Sequence, residues 1–374
     1  MILKKSDAEY AAQYFIDYYG PINSIEDYQR KVKLSRMVDY SSPLLGMGGL
    51  EDDLFDEYDI HPKDMKFKII DCSKDSYYNA SHCNDLLEIT TSAPVEAGAP
   101  VRMLRWILLE TTTNKVVGFI RLCSPVINCK PRNDWLGSVP ELFRFNEHVN
   151  MGTIIVPVQP FGYNLIGGKL LTLLCCCHET REAFNKKYGC DITLFETTSL
   201  YGSTKQSSQY DGMKPFVRFR GLTDSNFAPM LHDEYFRNLE KYFIDRNDGK
   251  PLVTSASSRK MKAQNKMISI IRASLPKDHK LILEFNEVLK KSKGITEQKR
   301  YYQSTLGFSN SREVILGQEE PKIDPVNHHK FHWEFMLNWW QKKAGNRFEK
   351  LRKDGRMRTE LEVWNRDMDI QIIR

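Results

Sequence analysis

The chain has 374 residues, 41% of them hydrophobic, enough to bury a core and to form two domains of ordinary size, about 100–200 residues each. No apolar run approaches the ~20 residues of a membrane-spanning helix, and Met1-Ile-Leu-Lys-Lys turns polar too early for a secretory leader. Eight cysteines include the run Cys175-Cys176-Cys177, which cannot pair within itself, so a reducing cytoplasm is expected rather than a disulfide framework.

The net charge of +6 hides an asymmetry: residues 1–250 hold 29 basic and 33 acidic side chains, and residues 251–374 hold 25 and 15. An acidic partner is implied for the C-terminal part, and nucleic acid is the commonest one. The alternative is a solvated helical surface.

Taken in order, Ser6 to Tyr40 reads as helical, with Tyr10, Tyr14, Phe15, Tyr18 and Tyr19 recurring at helical spacing until Gly20-Pro21 interrupts. Ser41 to Asp59, with its Pro, Gly and acidic residues, reads as a loop. A strand is expected at Lys66–Ile70, a helix around His82 and Leu86, and then a hairpin whose arms, 101–109 and 116–122, flank a polar turn. Next comes the apolar run Thr153–Val156, stopped by Pro157, and the turn Gln159-Pro160-Phe161-Gly162-Tyr163-Asn164. Asn164 is read as the N-cap of one long helix that ends at the left-handed stop Gly189. A second buried strand, Ile192–Phe195, leads into Glu196 and a polar loop ending at Tyr210.

Strand, helix and strand of these lengths make a crossover with parallel strands, and ligands in such sheets bind beyond the strands' carboxyl ends. The site is therefore expected between 157–164 and 196–210. Phe216–Phe219 reads as a further strand, Asn247–Pro251 as a boundary, and the remainder as helical and basic.

The order of helix, hairpin, strand with Gly-turn, helix and strand resembles the GCN5-related N-acetyltransferase (GNAT) fold, in which a Gln/Arg-x-x-Gly-x-Gly/Ala turn cradles the pyrophosphate of acetyl-CoA. Gln159, Gly162, Asn164 and Leu165 stand at that turn, with Asn164 departing from the pattern. Including the loops, the chain resembles the DruA family of Druantia antiphage systems. The matching segments are Gly118-Phe-Ile-Arg121-Leu-Cys-Ser124-Pro-Val126, Pro131-Arg132-Asn133-Asp134-Trp135-Leu136-Gly137, Asn150, Asn164-Leu165, Tyr188-Gly189 and Leu194-Phe-Glu196-Thr197. A last signature, shared with the DNA-adenine-modifying Mom of phage Mu, meets Gly202-Ser203-Thr204-Lys205, with Lys205 where the relatives have Tyr.

These resemblances imply an α/β fold: a GNAT-like mixed sheet flanked by helices, followed by a mainly helical, basic C-terminal region. The expected segments are 1–60 (helical), 61–245 (α/β) and 251–374 (basic, nucleic-acid-binding). Glu196, Ser203, Ser124 and Asn150 are the catalytic candidates, and acetyl-CoA or another acyl donor is the cofactor implied. Glu196 reads equally well as a general base or as an anchor for its loop. Lys299, Arg300, Lys342, Lys343 and Arg347 are the candidate DNA contacts.

No metal site is expected. Cys175 and His178 share a helix face, and His328, His329 and His332 have helical spacing, but neither set is complete. The function so implied is base modification of DNA in a phage or antiphage setting. Its alternatives are a non-catalytic DNA-binding defence component and an ordinary acetyltransferase.

Overall fold

The computed structural model describes residues 1–37, 49–95, 102–126, 128–199, 208–224, 229–254, 259–295, 298–365 and 367–369. Its elements begin with α1 (Lys5–Tyr19), α2 (Ile25–Arg36), β1 (Phe67–Asp71), α3 (Ala80–Thr90), β2 (Met103–Glu110) and β3 (Lys115–Cys123). The middle of the chain forms α4 (Lys130–Leu136), α5 (Leu142–His148), β4 (Val149–Pro157), α6 (Phe161–Leu165), α7 (Gly167–Cys176), α8 (His178–Tyr188) and β5 (Leu194–Ser199). Then come β6 (Arg218–Leu222), α9 (Asp233–Asp245), α10 (Arg259–Ser274), α11 (Lys280–Lys293), β7 (Arg300–Ser304), α12 (Ser311–Ile315) and α13 (Trp333–Lys353).

The chain divides into two compact units, one of Met1–Ser35 with Ser225–Glu297 and one of Arg36–Asp224 with Gln298–Arg374. This differs from the three consecutive segments expected. Asn247–Pro251 is a turn inside the first unit, between α9 and α10, because a Gly/Pro-rich break marks a chain reversal as readily as a domain border. The basic excess is consequently divided: residues 251–297 lie in the helical unit and 298–374 in the sheet unit.

In the helical unit, α1 buries Ala8, Ala11, Ala12, Phe15 and Ile16 on one stripe, against the apolar faces of α10 and α11. Tyr10, expected on that face, is 51% exposed. His232, just before α9, meets the Tyr18 hydroxyl through Nδ1 and lies 2.7 Å from Ser35 Oγ through Nε2.

The second unit is built on a seven-stranded mixed sheet of order β1-β2-β3-β4-β5-β7-β6. The expected hairpin is β2–β3. Its turn is held by Glu110, whose carboxylate accepts from the amides of Thr112 (3.0 Å) and Thr113 (2.8 Å), and Asn114 takes the left-handed conformation (φ 56°). The expected crossover joins β4 and β5, which pair in parallel from Val149↔Leu194 to Gly152↔Thr197. Beyond Gly152 the two strands part while β4 continues along β3 to Pro157.

The connection departs from the single helix expected. Ile166, at φ 47°, separates α6 from α7, and extended Cys177 separates α7 from α8. Asn164 lies within α6 instead of capping the helix, and its side chain exchanges two hydrogen bonds with the backbone of Arg358 (2.7 and 3.1 Å). Gly189 ends α8 in the left-handed conformation, as expected (φ 61°).

Two further strands complete the sheet. The strand read at Phe216–Phe219 is shifted to β6. The Lys299–Tyr302 stretch contributes β7, which inserts antiparallel between β5 and β6. The C-terminal helix α13 is integral to this unit: Trp340 is fully buried, donates Nε1–H to the Leu165 carbonyl at 3.0 Å, and packs with Phe161 and Phe348 in the main core. Among the described residues no helix is long and apolar enough to cross a membrane.

Candidate functional site

The first expected lip of the site is the turn after β4. Its amides are taken by its own chain: Gly162 N donates to Val158 O, Tyr163 N to the Gln159 side chain, and Asn164 N to Pro160 O, at 2.8–3.0 Å. The C-terminal segment covers it further, through Glu362 N to Gln159 O at 3.0 Å and through Arg358, stacked 3.9 Å from the Tyr163 ring. A pyrophosphate cradle needs outward-facing amides and close backbone approach. Here a Cβ on Gly162 would already meet Gln159 Nε2 at 2.5 Å, and one on Gly168 would meet Gln209 Oε1 at 2.0 Å.

The opening between β4 and β5 is likewise filled. Gln209 Nε2 donates to Ile155 O at 3.2 Å, and Lys169 Nζ holds the carbonyls of Gln209 and Asp211. Gln159, Gly162, Asn164 and Leu165 are thus brought together but do not fit the pyrophosphate of an acyl-CoA.

The second lip is Glu196. Arg132 on α4 donates Nη1 to its two oxygens at 2.9 and 3.2 Å, and Tyr301 on β7 donates its hydroxyl at 2.9 Å. All three side chains are sealed: Arg132 is 0% exposed and Glu196 and Tyr301 are each 1% exposed. Burial pushes the carboxyl pKa up, opposed by the Arg132 charge and the Tyr301 hydrogen bond. Burial also raises the Tyr301 hydroxyl well above its ordinary range, with the Glu196 charge adding to it, so the tyrosine stays a proton donor. Of the two sequence readings of Glu196, this geometry fits the anchor.

The other catalytic candidates do not converge on it. Asn150 pairs with Phe195, while Met151 pairs with Glu196; alternation therefore turns Asn150 to the opposite face of the sheet. There it is buried, and its Oδ1 has no hydrogen-bond partner among the described residues. Ser124, at the end of β3, accepts from Arg102 Nε at 3.1 Å. Ser203 and Lys205 lie outside the described residues.

What Glu196 does organise is a row across three strands, since Glu196 pairs with Gln303 and Gln303 with Arg218. The Gln303 amide, its oxygen turned toward the sheet edge, accepts from Arg220 Nε at 3.0 Å and Nη2 at 3.3 Å, and its other end lies 3.5 Å from Tyr301 Oη. A β-bulge between Phe219 and Gly221 leaves Arg220 outside the ladder and re-aims it. Gly221 permits the bulge with φ 140°, where an added Cβ would press on Pro131 of α4 at 3.3 Å.

Over this row opens a cleft of about 440 Å³, lined by Trp135, Arg218, Arg220, Gln303 and Arg312 among others. The α4 segment thus serves both levels, with Arg132 turned inward to Glu196 and Trp135 outward to the cleft. The carbonyls of Trp135 and Leu136 are pinned by Arg312 at 3.1 and 3.0 Å. Arg132 and Trp135 stand in the Pro131–Gly137 segment of the sequence with no role attached to them there. The sequence does not single out Arg218, Arg220 and Gln303, which become neighbours only through the distant strand β7.

The five candidate DNA contacts separate into two kinds. Arg300 is bound to Tyr302 Oη at 2.8 Å and stacked 4.3 Å from Phe219; Arg347 donates to Tyr163 O at 2.7 Å; and the Lys299 amide donates to Thr223 Oγ1 at 2.9 Å. Lys342 and Lys343 are exposed on α13, the latter with its ammonium 5.0 Å from the Trp339 ring.

His178 packs against His328 (4.2 Å between centroids) and edge-on against His332 (4.9 Å), and donates Nε2–H to the His328 carbonyl at 2.9 Å. Among the described residues no group of three or more His, Cys, Asp and Glu side chains is arranged to hold a metal.

The family model described as Druantia protein DruA matches residues 47–207. Druantia protein DruA of Escherichia coli (strain UMEA 4076-1) is 27% identical over 177 residues. That similarity covers 43% of this chain and 43% of the relative, so the chain spans less than half the length of the curated relative it matches. No solved structure matches. The matched segment holds Arg132, Trp135 and Glu196; Tyr301, Gln303, Arg218 and Arg220 lie outside it.

Proposed function

With a DruA-similar segment at its centre, we propose that this protein is a DNA-binding component of a phage-defence system, working in the cytoplasm of a prokaryotic cell. Its scaffold is GNAT-like: the strand order and the central parallel pair that parts beyond Gly152 support that reading. The DNA-binding role is carried by one contrast. The carboxylate expected to do chemistry has both oxygens occupied by buried partners, while Arg218, Lys342 and Lys343 stand exposed on the same unit. A base-modifying acyltransferase would need a reachable base and an open donor site, and the residues at both expected positions are tied to their own chain.

Cationic side chains that neutralise phosphates release counterions, so binding weakens steeply with salt. Purified protein is expected to retain labelled DNA at moderate salt, with log affinity falling linearly against log salt. Lys342→Glu/Lys343→Glu is expected to flatten that slope by about 1–2. Mass spectrometry of nucleosides from cells expressing the protein discriminates the enzymatic reading: a new nucleoside that depends on the intact protein would replace the binding role with catalysis.

A further inference from the structure

We propose that the cleft over β6 seats one nucleotide of a DNA strand, with its phosphate on Arg218 and Arg220 and its base against Trp135. This rests on the DNA-binding reading above and names the surface that makes it selective for an unpaired nucleotide.

Four observations carry it. The cleft's volume of about 440 Å³ suits a ligand of nucleotide size and falls within the range of small-molecule sites, about 300–1,000 Å³. A duplex would have to present an unpaired or extruded nucleotide to enter it. Arg218 is exposed and makes no ion pair among the described residues. Arg220 is held at Nε and Nη2 by Gln303, leaving its Nη1 side for a ligand. Two guanidiniums so placed match the oxygens of a phosphate.

The third observation is Trp135, half-buried on α4, with the Arg220 guanidinium 6.0 Å from its ring centre. An aromatic face beside a phosphate clamp is the arrangement on which bases stack without sequence preference. Fourth, the acidic side chains of the cleft are already engaged. Glu313 faces Arg312 at 3.3 Å, and Asp324 accepts from the Val326 amide and from Asn327 at 2.8–3.2 Å. With Arg312 facing Glu313 and the Asp324 carboxylate turned to its own loop, Arg218 and Arg220 leave the cleft lining with an excess of positive over negative side chains for an entering anion.

The buried row beneath acquires a purpose on this reading. Glu196, held by Arg132 and Tyr301, is the cross-strand partner of Gln303, Tyr301 Oη lies 3.5 Å from the Gln303 amide, and Gln303 aims Arg220. Gln303 is a positioning residue.

The test titrates the full chain against a short labelled single strand and a duplex of the same sequence, compared at matched salt and repeated across a salt series. Arg218→Gln/Arg220→Gln is expected to weaken single-strand binding by about 10–100-fold, with about one unit less salt slope. Trp135→Leu is expected to cost about tenfold, and Trp135→Phe much less. Arg218→Glu, at an exposed position away from the core, separates lost binding from lost folding and is expected to weaken the strand as strongly as the double substitution.

Unchanged single-strand affinity in these variants, with wild-type binding intact, would overturn the cleft and leave the DNA-binding role standing. Wild-type protein that retains neither form of DNA would remove both. Displacement of the strand from the cleft by an oligo-glutamate peptide of equal affinity would reassign the cleft to acidic peptides and overturn the nucleotide.

Discussion

Glu196 shows how one buried charge commits its neighbours. Burying a carboxylate to 1% exposure costs its hydration and pushes its pKa up, and the Arg132 charge and the Tyr301 hydroxyl offset part of that cost. Glu196→Ala would leave the Arg132 guanidinium buried and unpaired, and is expected to lower stability by about 3–5 kcal/mol in denaturant unfolding. Glu196→Leu/Arg132→Met, which removes both charges, is expected to cost clearly less; equal losses would show that packing, not the ion pair, holds this position.

His178 gives a pH dependence of definite sign. Burial lowers its folded pKa to about 4 from the ordinary 6.5, so the unfolded chain binds the extra proton between those values. Stability from this residue is therefore complete above about pH 6.5 and is lost as pH falls toward 4, by no more than about 3 kcal/mol. His178→Phe is expected to flatten the melting temperature over that interval; an unaltered pH profile would contradict the assignment. Glu196 was visible in the sequence because it follows an apolar run. Its role was not, because Arg132 is 64 residues away and Tyr301 is 105.

Among the elements, the parallel pair β4–β5 was legible: two apolar runs separated by a helix-length segment admit few other topologies. Its interruptions were not. Nothing local in Leu165–Gly167 announces a left-handed Ile166, which follows from docking α6 under Trp340 of α13. The β7 stretch was read only for its charged and aromatic residues, as DNA contacts, because a five-residue strand supplied from beyond the helical segment carries no periodicity of its own.

The C-terminal helix was expected as part of a basic, nucleic-acid-binding region, and α13 also holds the sheet unit's core. Trp340→Ala is accordingly expected to destabilise that unit by about 3–5 kcal/mol, read from loss of its cooperative unfolding midpoint. A silent substitution would contradict a core role for α13.

At the scale of the whole molecule, composition foretold a basic C-terminal third but not its division between two units, since chain order and spatial grouping diverge here. The segment similar to Druantia DruA supplies the inner half of the arginine row, and chain outside that segment supplies its exposed end. The acyl-transfer chemistry expected from the sequence meets a turn at Gly162–Asn164 whose amides are bonded within the chain and a carboxylate whose oxygens are taken. The exposed lysines of α13 and the arginines of β6 remain available to a polyanion.

Equilibrium binding of the purified chain to labelled DNA across a salt series tests that role most directly. Affinity tighter than the nonspecific background of about 10⁻⁴–10⁻⁶ M, falling linearly in log–log form with salt, is the expected result. Affinity no better than that background, unaltered by Lys342→Glu/Lys343→Glu or Arg218→Glu, would contradict it.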